Sequence, residues 1–213
     1  MKKFILISGL LAAPLVFSGS AQAEGPNPNE VWVESIQAGG TGCPAGTYTQ
    51  SISDDRQAFT LIFDEFFVEL AGRRPVQRKN CQIDLALHVP NGWQFSIASF
   101  DYRGYAYLEP GIDAVQTAYY YFQGQGNSPT FYTQIGDGSS EFDDIYTISD
   151  TIGIESVVWS PCGATRNLQI NTDLRVQRRN RRSQAYGYLS TDSIDGEFQT
   201  RHSWRFGFYW RPC

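Results

Sequence analysis

Hydrophobic and polar residues alternate with a period of two along most of the chain from Val31 onward. No window of useful length places apolar residues at i, i+3, i+4 and i+7. Ile83, Leu85, Leu87 and Val89 alternate with Asp84, Ala86 and His88. Leu168, Ile170, Leu174 and Val176 share one face, opposite Gln169, Asn171, Asp173, Arg175 and Gln177. Strands with this pattern bury one side and wet the other, because successive side chains project to opposite faces. Further runs near 47–53, 58–70, 94–108, 114–123, 130–135, 142–152, 156–161, 185–193 and 197–211 are rich in aromatic and β-branched residues and are broken by Gly, Pro, Asn and Asp. Pro90-Asn91-Gly92 and Asp195-Gly196 read as tight turns, and the stretches 124–129 and 136–140 as longer loops. The pattern predicts an all-β chain of roughly ten to twelve strands in a single antiparallel β-sandwich, jelly-roll-like, with no second domain.

The first 23 residues stand outside this pattern. Met1-Lys2-Lys3 is followed by an almost wholly apolar run, Phe4 to Phe17, and then by a stretch ending in Ala21-Gln22-Ala23. That order is read by signal peptidase, and the apolar run is too short to span a bilayer core of about 30 Å as a helix. Cleavage near Ala23 is expected, giving a secreted or periplasmic domain over 24–213 with no transmembrane segment. The leader removes Lys2 and Lys3 from 17 basic residues, leaving 15 against 22 acidic ones and taking the net charge from -5 to -7. A balance this acidic argues against nucleic acid as a partner.

Four cysteines, Cys43, Cys81, Cys162 and Cys213, remain in an oxidising compartment, which makes two disulfides the expectation. They are too scattered for a zinc site. Of the three possible connectivities, Cys43–Cys81 with Cys162–Cys213 pairs chain neighbours and ties down the C-terminal residue. In the chain-entropy model each such loop contributes about 4 kcal/mol.

No catalytic constellation is apparent. The two histidines, His88 and His202, have no recognisable Ser, Cys or metal partner, and no phosphate or dinucleotide fingerprint occurs. No cofactor and no metal site is expected. The acidic groups Asp137, Glu141, Asp143 and Asp144, and Asp192, Asp195 and Glu197, offer oxygen ligands suited to calcium but lack the spacing of a calcium loop, and solvated loop charge is the reading preferred. The sharpest local anomaly is the run 175–182, where Arg175, Arg178, Arg179, Arg181 and Arg182 gather in an otherwise acidic protein. Their guanidinium groups repel one another unless an anionic glycan, a phosphate, an acidic partner or the acidic loops neutralise them. Aromatic residues form the second candidate surface. Tyr102, Tyr105, Tyr107, Tyr119, Tyr120 and Tyr121 cannot all face one core, and Tyr105 and Trp93 are candidates to offer flat rings to a sugar or another protein.

Several motifs occur in an order that resembles the family known as domain of unknown function 4360. They are Thr41-Gly42-Cys43-Pro44-Ala45-Gly46-Thr47, Phe63-Asp64-Glu65-Phe66, Arg78-Lys79-Asn80-Cys81-Gln82 and Val89-Pro90-Asn91-Gly92-Trp93-Gln94-Phe95. Arg103-Gly104-Tyr105-Ala106, Trp159-Ser160-Pro161-Cys162-Gly163, Asp192-Ser193-Ile194-Asp195-Gly196 and Trp210-Arg211-Pro212-Cys213 follow. The resemblance spans nearly all of the chain after the leader and implies a small secreted protein with a four-cysteine framework. It brings no activity with it, and the arginine run is not part of the pattern.

Taken together, these features favour a secreted, non-catalytic binding or cell-surface interaction module whose partner is a glycan or another extracellular protein. The rivals are a polysaccharide hydrolase using carboxylates on neighbouring strands, with Asp64 the first residue to substitute, and an inhibitor or effector that binds another protein.

Overall fold

The computed structural model describes residues 25–54, 58–97, 99–124, 130–151, 158–162, 167–197 and 208–213. After one 3-10 turn at Pro28–Glu30 the regular elements are all strands: β1 (Trp32–Gly39), β2 (Tyr48–Ile52), β3 (Ala58–Phe63), β4 (Phe67–Leu70), β5 (Val76–His88), β6 (Trp93–Ile97), β7 (Ser99–Leu108), β8 (Ile112–Phe122), β9 (Thr130–Asp137), β10 (Phe142–Thr151), β11 (Leu168–Arg178), β12 (Gly187–Ser190), β13 (Ser193–Glu197) and β14 (Phe208–Pro212). No helix among the described residues is long and apolar enough to cross a membrane.

One sheet has five strands in the order β1-β5-β11-β8-β9, and a second has seven. In the second, β12 pairs with Ala106–Leu108 of β7 and β13 with Asp101–Arg103, so the two lie end to end along one edge of β7, while β10 takes the other edge. Beyond them β4 and β3 repeat the arrangement, and β2 closes the sheet against β3. The seven strands therefore occupy five positions: β10, β7, β12 with β13, β4 with β3, and β2. Read across the two sheets, chain neighbours fall at matching positions: β1 and β2, β4 and β5, β11 and β12, β7 and β8, β9 and β10. This is jelly-roll order, and all the pairings are antiparallel. A third, two-stranded sheet joins β6 and β14.

The breaks between β3 and β4 and between β12 and β13 correct the continuous runs expected over 58–70 and 185–193. Phe59, Leu61 and Phe63 face the core at odd positions, whereas Phe66, Val68 and Leu70 face it at even ones. A strand cannot change parity without a bulge or break, because its side chains alternate strictly. Asp64 and Glu65 form the break, both exposed, and Phe66 returns to the core edge-on to Phe63. Leu189 and Ile194 show the same switch across Ser190 to Asp192. Gly104 of β7 lies beside that second break, where a Cβ would overlap the Ser190 carbonyl oxygen. The Tyr146 hydroxyl uses the space, donating to that carbonyl at 2.5 Å. Of the other expected strands, 158–161 is irregular while 152–157 lies outside the described residues, as do most of 197–211 and His202.

Between the sheets lies a continuous apolar core in which Leu61, Leu70, Ile83, Leu85, Ile170 and Leu174 are fully buried. Polar side chains cross it in more than one place. The Tyr146 hydroxyl reaches Gln116 Oε1 of the other sheet at 3.2 Å, with Thr191 beside them. A second chain runs through Tyr102. Tyr102 and Tyr120 share a hydroxyl contact of 2.5 Å, and Tyr120 donates to Asp150 Oδ2 at 2.8 Å. Burial pushes the Asp150 carboxyl up to about 6; the Tyr120 bond opposes this and the charge of Asp101 adds to it. The disulfides are Cys43–Cys81 and Cys162–Cys213, the pairing of chain neighbours. The first fixes the segment after β1 against β5. The second holds the C-terminal residue, whose amide also donates to the Gly92 carbonyl at 2.8 Å.

Candidate functional site

The outward side chains of β5, β11 and β8 meet in rows set by the register. Asp84, Gln169 and Tyr121 form one row, Gln82, Asn171 and Tyr119 the next, then Asn80, Asp173 and Thr117, and last Arg78, Arg175 and Val115. Because β11 buries Leu168, Ile170, Leu174 and Val176, its polar alternates must line the opposite surface. Around the middle rows Thr41, Arg78, Asn80, Tyr119, Asn171 and Asp173 border a groove of about 490 Å³.

Hydrogen bonds between side chains hold this floor in place. Asp84 accepts from Asn167 at 2.5 Å and also from Gln169, whose Oε1 in turn accepts from Gln82 at 2.9 Å. Arg78 pairs with Asp173, which is only 7 % exposed. Burial pushes the Asp173 carboxyl up against the pull of that guanidinium, while the bond to Asp173 raises Arg78. The groove's edge is fixed by the first disulfide: next to Cys43, Gly42 donates its amide to the Asn80 carbonyl at 2.8 Å, and Thr41 Oγ1 donates to Asn80 Oδ1 at 3.0 Å. Among the described residues the Asn171 side chain makes a single bond, a long one of 3.5 Å to the Tyr121 hydroxyl, and so leaves most of its donor and acceptor capacity unused.

The arginine run does not form one patch. Arg175 is exposed on the groove face, next to Arg78 in register. Arg178, a candidate binding residue by sequence, is 1 % exposed and lies inside the protein. Its guanidinium donates to the carbonyls of Ala185 (2.8 Å), Gly72 (2.9 Å), Arg74 (2.6 Å) and Leu70 (3.4 Å). It therefore ties the end of β11 to the β4–β5 connection and to the approach to β12, and no outside ligand can reach it. Parity explains the placement, since residue 178 continues the inward series 168 to 176. Arg179 pairs with Asp113 at 2.8 Å, and Arg181 and Arg182 are exposed in the turn before β12.

Tyr105 sits on the opposite face of the sandwich, within an aromatic strip. Its ring lies 6.1 Å from Tyr188, which stacks on Phe67 at 5.5 Å, and Tyr107 lies 6.0 Å from Tyr186. The phenols are capped by carboxylates, Tyr105 donating to Asp143 at 2.7 Å and Tyr186 to Glu69 at 3.1 Å. The bond to Asp143, with burial and charge adding, pushes the Tyr105 hydroxyl up to about 12. Ile145, 72 % exposed, lies opposite Tyr105. Trp93 is half-buried on β6, opposite Pro212 in the small third sheet, so it does not belong to either surface.

The remaining candidates are dispersed. His88 stacks on Trp32 at 3.7 Å and faces Glu34 at 3.6 Å. Asp64 is exposed in the corner after β3, where its amide donates to the Thr47 carbonyl. Asp137 binds Ser139, Asp143 binds Tyr105 and Asp195 binds Thr60. Among the described residues, no three His, Cys, Asp or Glu side chains gather as a metal site requires.

Sequence reading put the polar side of β11 in water without recognising it as a site. The signal lay in the composition of this strand and of β5: three amides and two carboxylates at 82, 84, 169, 171 and 173, in place of the Thr, Lys and Glu of an ordinary solvated strand face.

Compared with known proteins, residues 29–213 match the family model described as "Domain of unknown function (DUF4360)". An "Uncharacterized secreted protein" of Arthroderma benhamiae is 41% identical over 176 residues, covering 82% of this chain and 70% of that one. Among solved structures, TmCBM61 in complex with β-1,4-galactotriose aligns at 8% identity and a TM-score of 0.31, covering 78% of this chain and 91% of that one. SGBP-B from a xyloglucan utilization locus in Bacteroides uniformis aligns at 11% identity and a TM-score of 0.25, covering 78% and 49%. Superpositions this loose fall short of a common fold and say nothing about ligands. The match over nearly all of the chain after residue 28, together with the close fungal relative and the four-cysteine framework, places this protein in the DUF4360 family.

Proposed function

We propose that this protein is a secreted glycan-binding module, released after cleavage near Ala23, and that the groove on the five-stranded sheet is its binding site. The observation that carries this reading is the groove's make-up: Asn80 held by Thr41, Asp173 held by Arg78, and Asn171 and Tyr119 side by side in register. A sugar ring presents hydroxyls that both donate and accept, and C–H faces that pack on rings. Asn and Gln supply both hydrogen-bonding roles, and Tyr supplies a flat apolar surface with a polar rim. Side chains already locked in position lose little freedom on binding.

Binding is favoured over hydrolysis by the carboxylates of this face. Asp84 lies opposite Gln169 and Asp173 opposite Asn80, four residues further along, which separates them by about 13 Å along the strands at roughly 3.3 Å per residue. Glycosidase pairs stand about 5 to 9.5 Å apart. Each of the two is also engaged, Asp84 by amides and Asp173 by Arg78.

The test is calorimetric titration of the oxidised protein, expressed with its own leader, against a panel of neutral and acidic oligosaccharides. The expected result is binding that weakens at least tenfold in Asn171→Ala and in Tyr119→Ala. Binding lost in Tyr105→Ala but retained in Asn171→Ala would move the site to the other face. Release of reducing sugar from any member of the panel would favour hydrolysis instead.

A further inference from the structure

Arg78 on β5 and Arg175 on β11 stand directly opposite each other in the antiparallel register, both pointing outward at one end of the groove. Like charges so placed destabilise a sheet, because their Cβ atoms lie only about 5 Å apart. Their surroundings supply one carboxylate for two guanidinium groups. Asp173 is bonded to Arg78 and feels the charge of Arg175 as well, but Arg175 itself makes no hydrogen bond or ion pair among the described residues. The next position along β8, Val115, brings no charge, and Asp113 beyond it is held by Arg179. A guanidinium with no bonded carboxylate thus stands beside Arg78, at the end of a groove whose other lining residues are Thr41, Asn80, Tyr119, Asn171, Thr172 and Asp173, on a protein whose overall charge is negative.

Resting on the glycan reading above, we propose that the groove selects acidic glycans, with Arg175 and Arg78 receiving the anionic substituent of one sugar unit while the amide rows hold its neighbours. The planar guanidinium matches an anion with two oxygens, a uronic carboxylate or a sulfate ester, and an anion bridging the pair removes their repulsion. Arg181 and Arg182, exposed in the turn but outside the groove's rows, are not the selecting groups.

The experiment titrates the whole oxidised protein with three probes of similar length: an oligogalacturonate, a sulfated galacto-oligosaccharide and a neutral cello-oligosaccharide. The variants are Arg175→Gln, the charge-neutral double Arg78→Gln with Asp173→Asn, and Arg181→Gln with Arg182→Gln. The double variant avoids leaving Asp173 buried without its partner. We expect the acidic probes to bind at least tenfold more tightly than the neutral one, with a preference that salt weakens and that Arg175→Gln removes. The better of the two acidic probes identifies the substituent as carboxylate or sulfate. Neutral probes bound as well as acidic ones, or a preference that survives Arg175→Gln or disappears only in the Arg181 and Arg182 variant, would overturn the selection and leave the glycan reading standing. No binding of any probe would overturn both.

Discussion

On the five-stranded sheet the outward side chains bind one another through amides and carboxylates, whereas on the facing sheet they are rings packed side by side with carboxylates capping their hydroxyls. Both surfaces are ordered, but they differ in what they leave unused. Phe67 and Tyr188 cover each other, and Tyr105 and Tyr186 have given their donors to Asp143 and Glu69. With its pKa pushed up to about 12, the Tyr105 phenol stays neutral across the physiological range. Among the described residues the Asn171 side chain, by contrast, has one long hydrogen bond, and Arg175 makes no hydrogen bond or ion pair. A surface that has satisfied itself makes a stable wall. A surface with fixed but underused groups around a groove offers places where a ligand would add bonds without breaking others.

The contrast can be sharpened by substitutions between the two faces. The largest effect is expected at Arg178, which links the end of β11 in one sheet to the carbonyl of Leu70 in the other and to that of Ala185 in the connection before β12. Arg178→Ala leaves several buried carbonyls without donors and should lower unfolding stability by about 3 kcal/mol or more, read by chemical denaturation. Arg181→Ala, three residues on and exposed in the turn, should change it by less than about 0.5 kcal/mol. Equal losses would mean that the buried clamp is not the structural member described here.

Asp150 should give a smaller effect of opposite sign. Its carboxyl titrates near 6 in the folded protein and near 4 when unfolded, so between these values the native state holds the proton more tightly. Stability from this group is therefore full below about pH 4 and falls as pH rises through about 6. Asp150→Asn keeps an acceptor for the Tyr120 hydroxyl and removes the buried charge. It should stabilise the protein at pH 8 by about 2 to 3 kcal/mol and flatten the decline between pH 4 and 6, with glycan affinity unaltered because Asp150 faces neither outer surface. A variant that is less stable at pH 8 would contradict the assignment.

Much of this architecture could be read from alternation alone. The polar set of β11 and the apolar set of β5 fall on the faces their sequence assigns them, and the disulfides pair chain neighbours. The strand breaks were also encoded, as the switch from Phe59, Leu61 and Phe63 to Phe66, Val68 and Leu70, but a parity switch is visible only once both runs are known to face one core. The groove was harder to see because its members come from Thr41, from Arg78 and Asn80, from Tyr119 and from 171–173, and nothing local sets which strands are neighbours. The arginine run misled for a related reason: closeness in sequence suggested one charged patch, whereas alternation and the turn sent Arg175 outward, Arg178 into the interior and Arg179 to Asp113.

The most direct test is a heteronuclear NMR titration with the best-binding oligosaccharide. It follows three groove reporters, the side-chain amide signals of Asn80 and Asn171 and the Tyr119 ring signals, together with the Tyr105 and Tyr188 ring signals as their counterparts on the facing sheet. The account predicts saturable shifts of the three groove signals with the Tyr105 and Tyr188 rings unmoved. Shifts confined to those two rings, with the groove signals still, would contradict it.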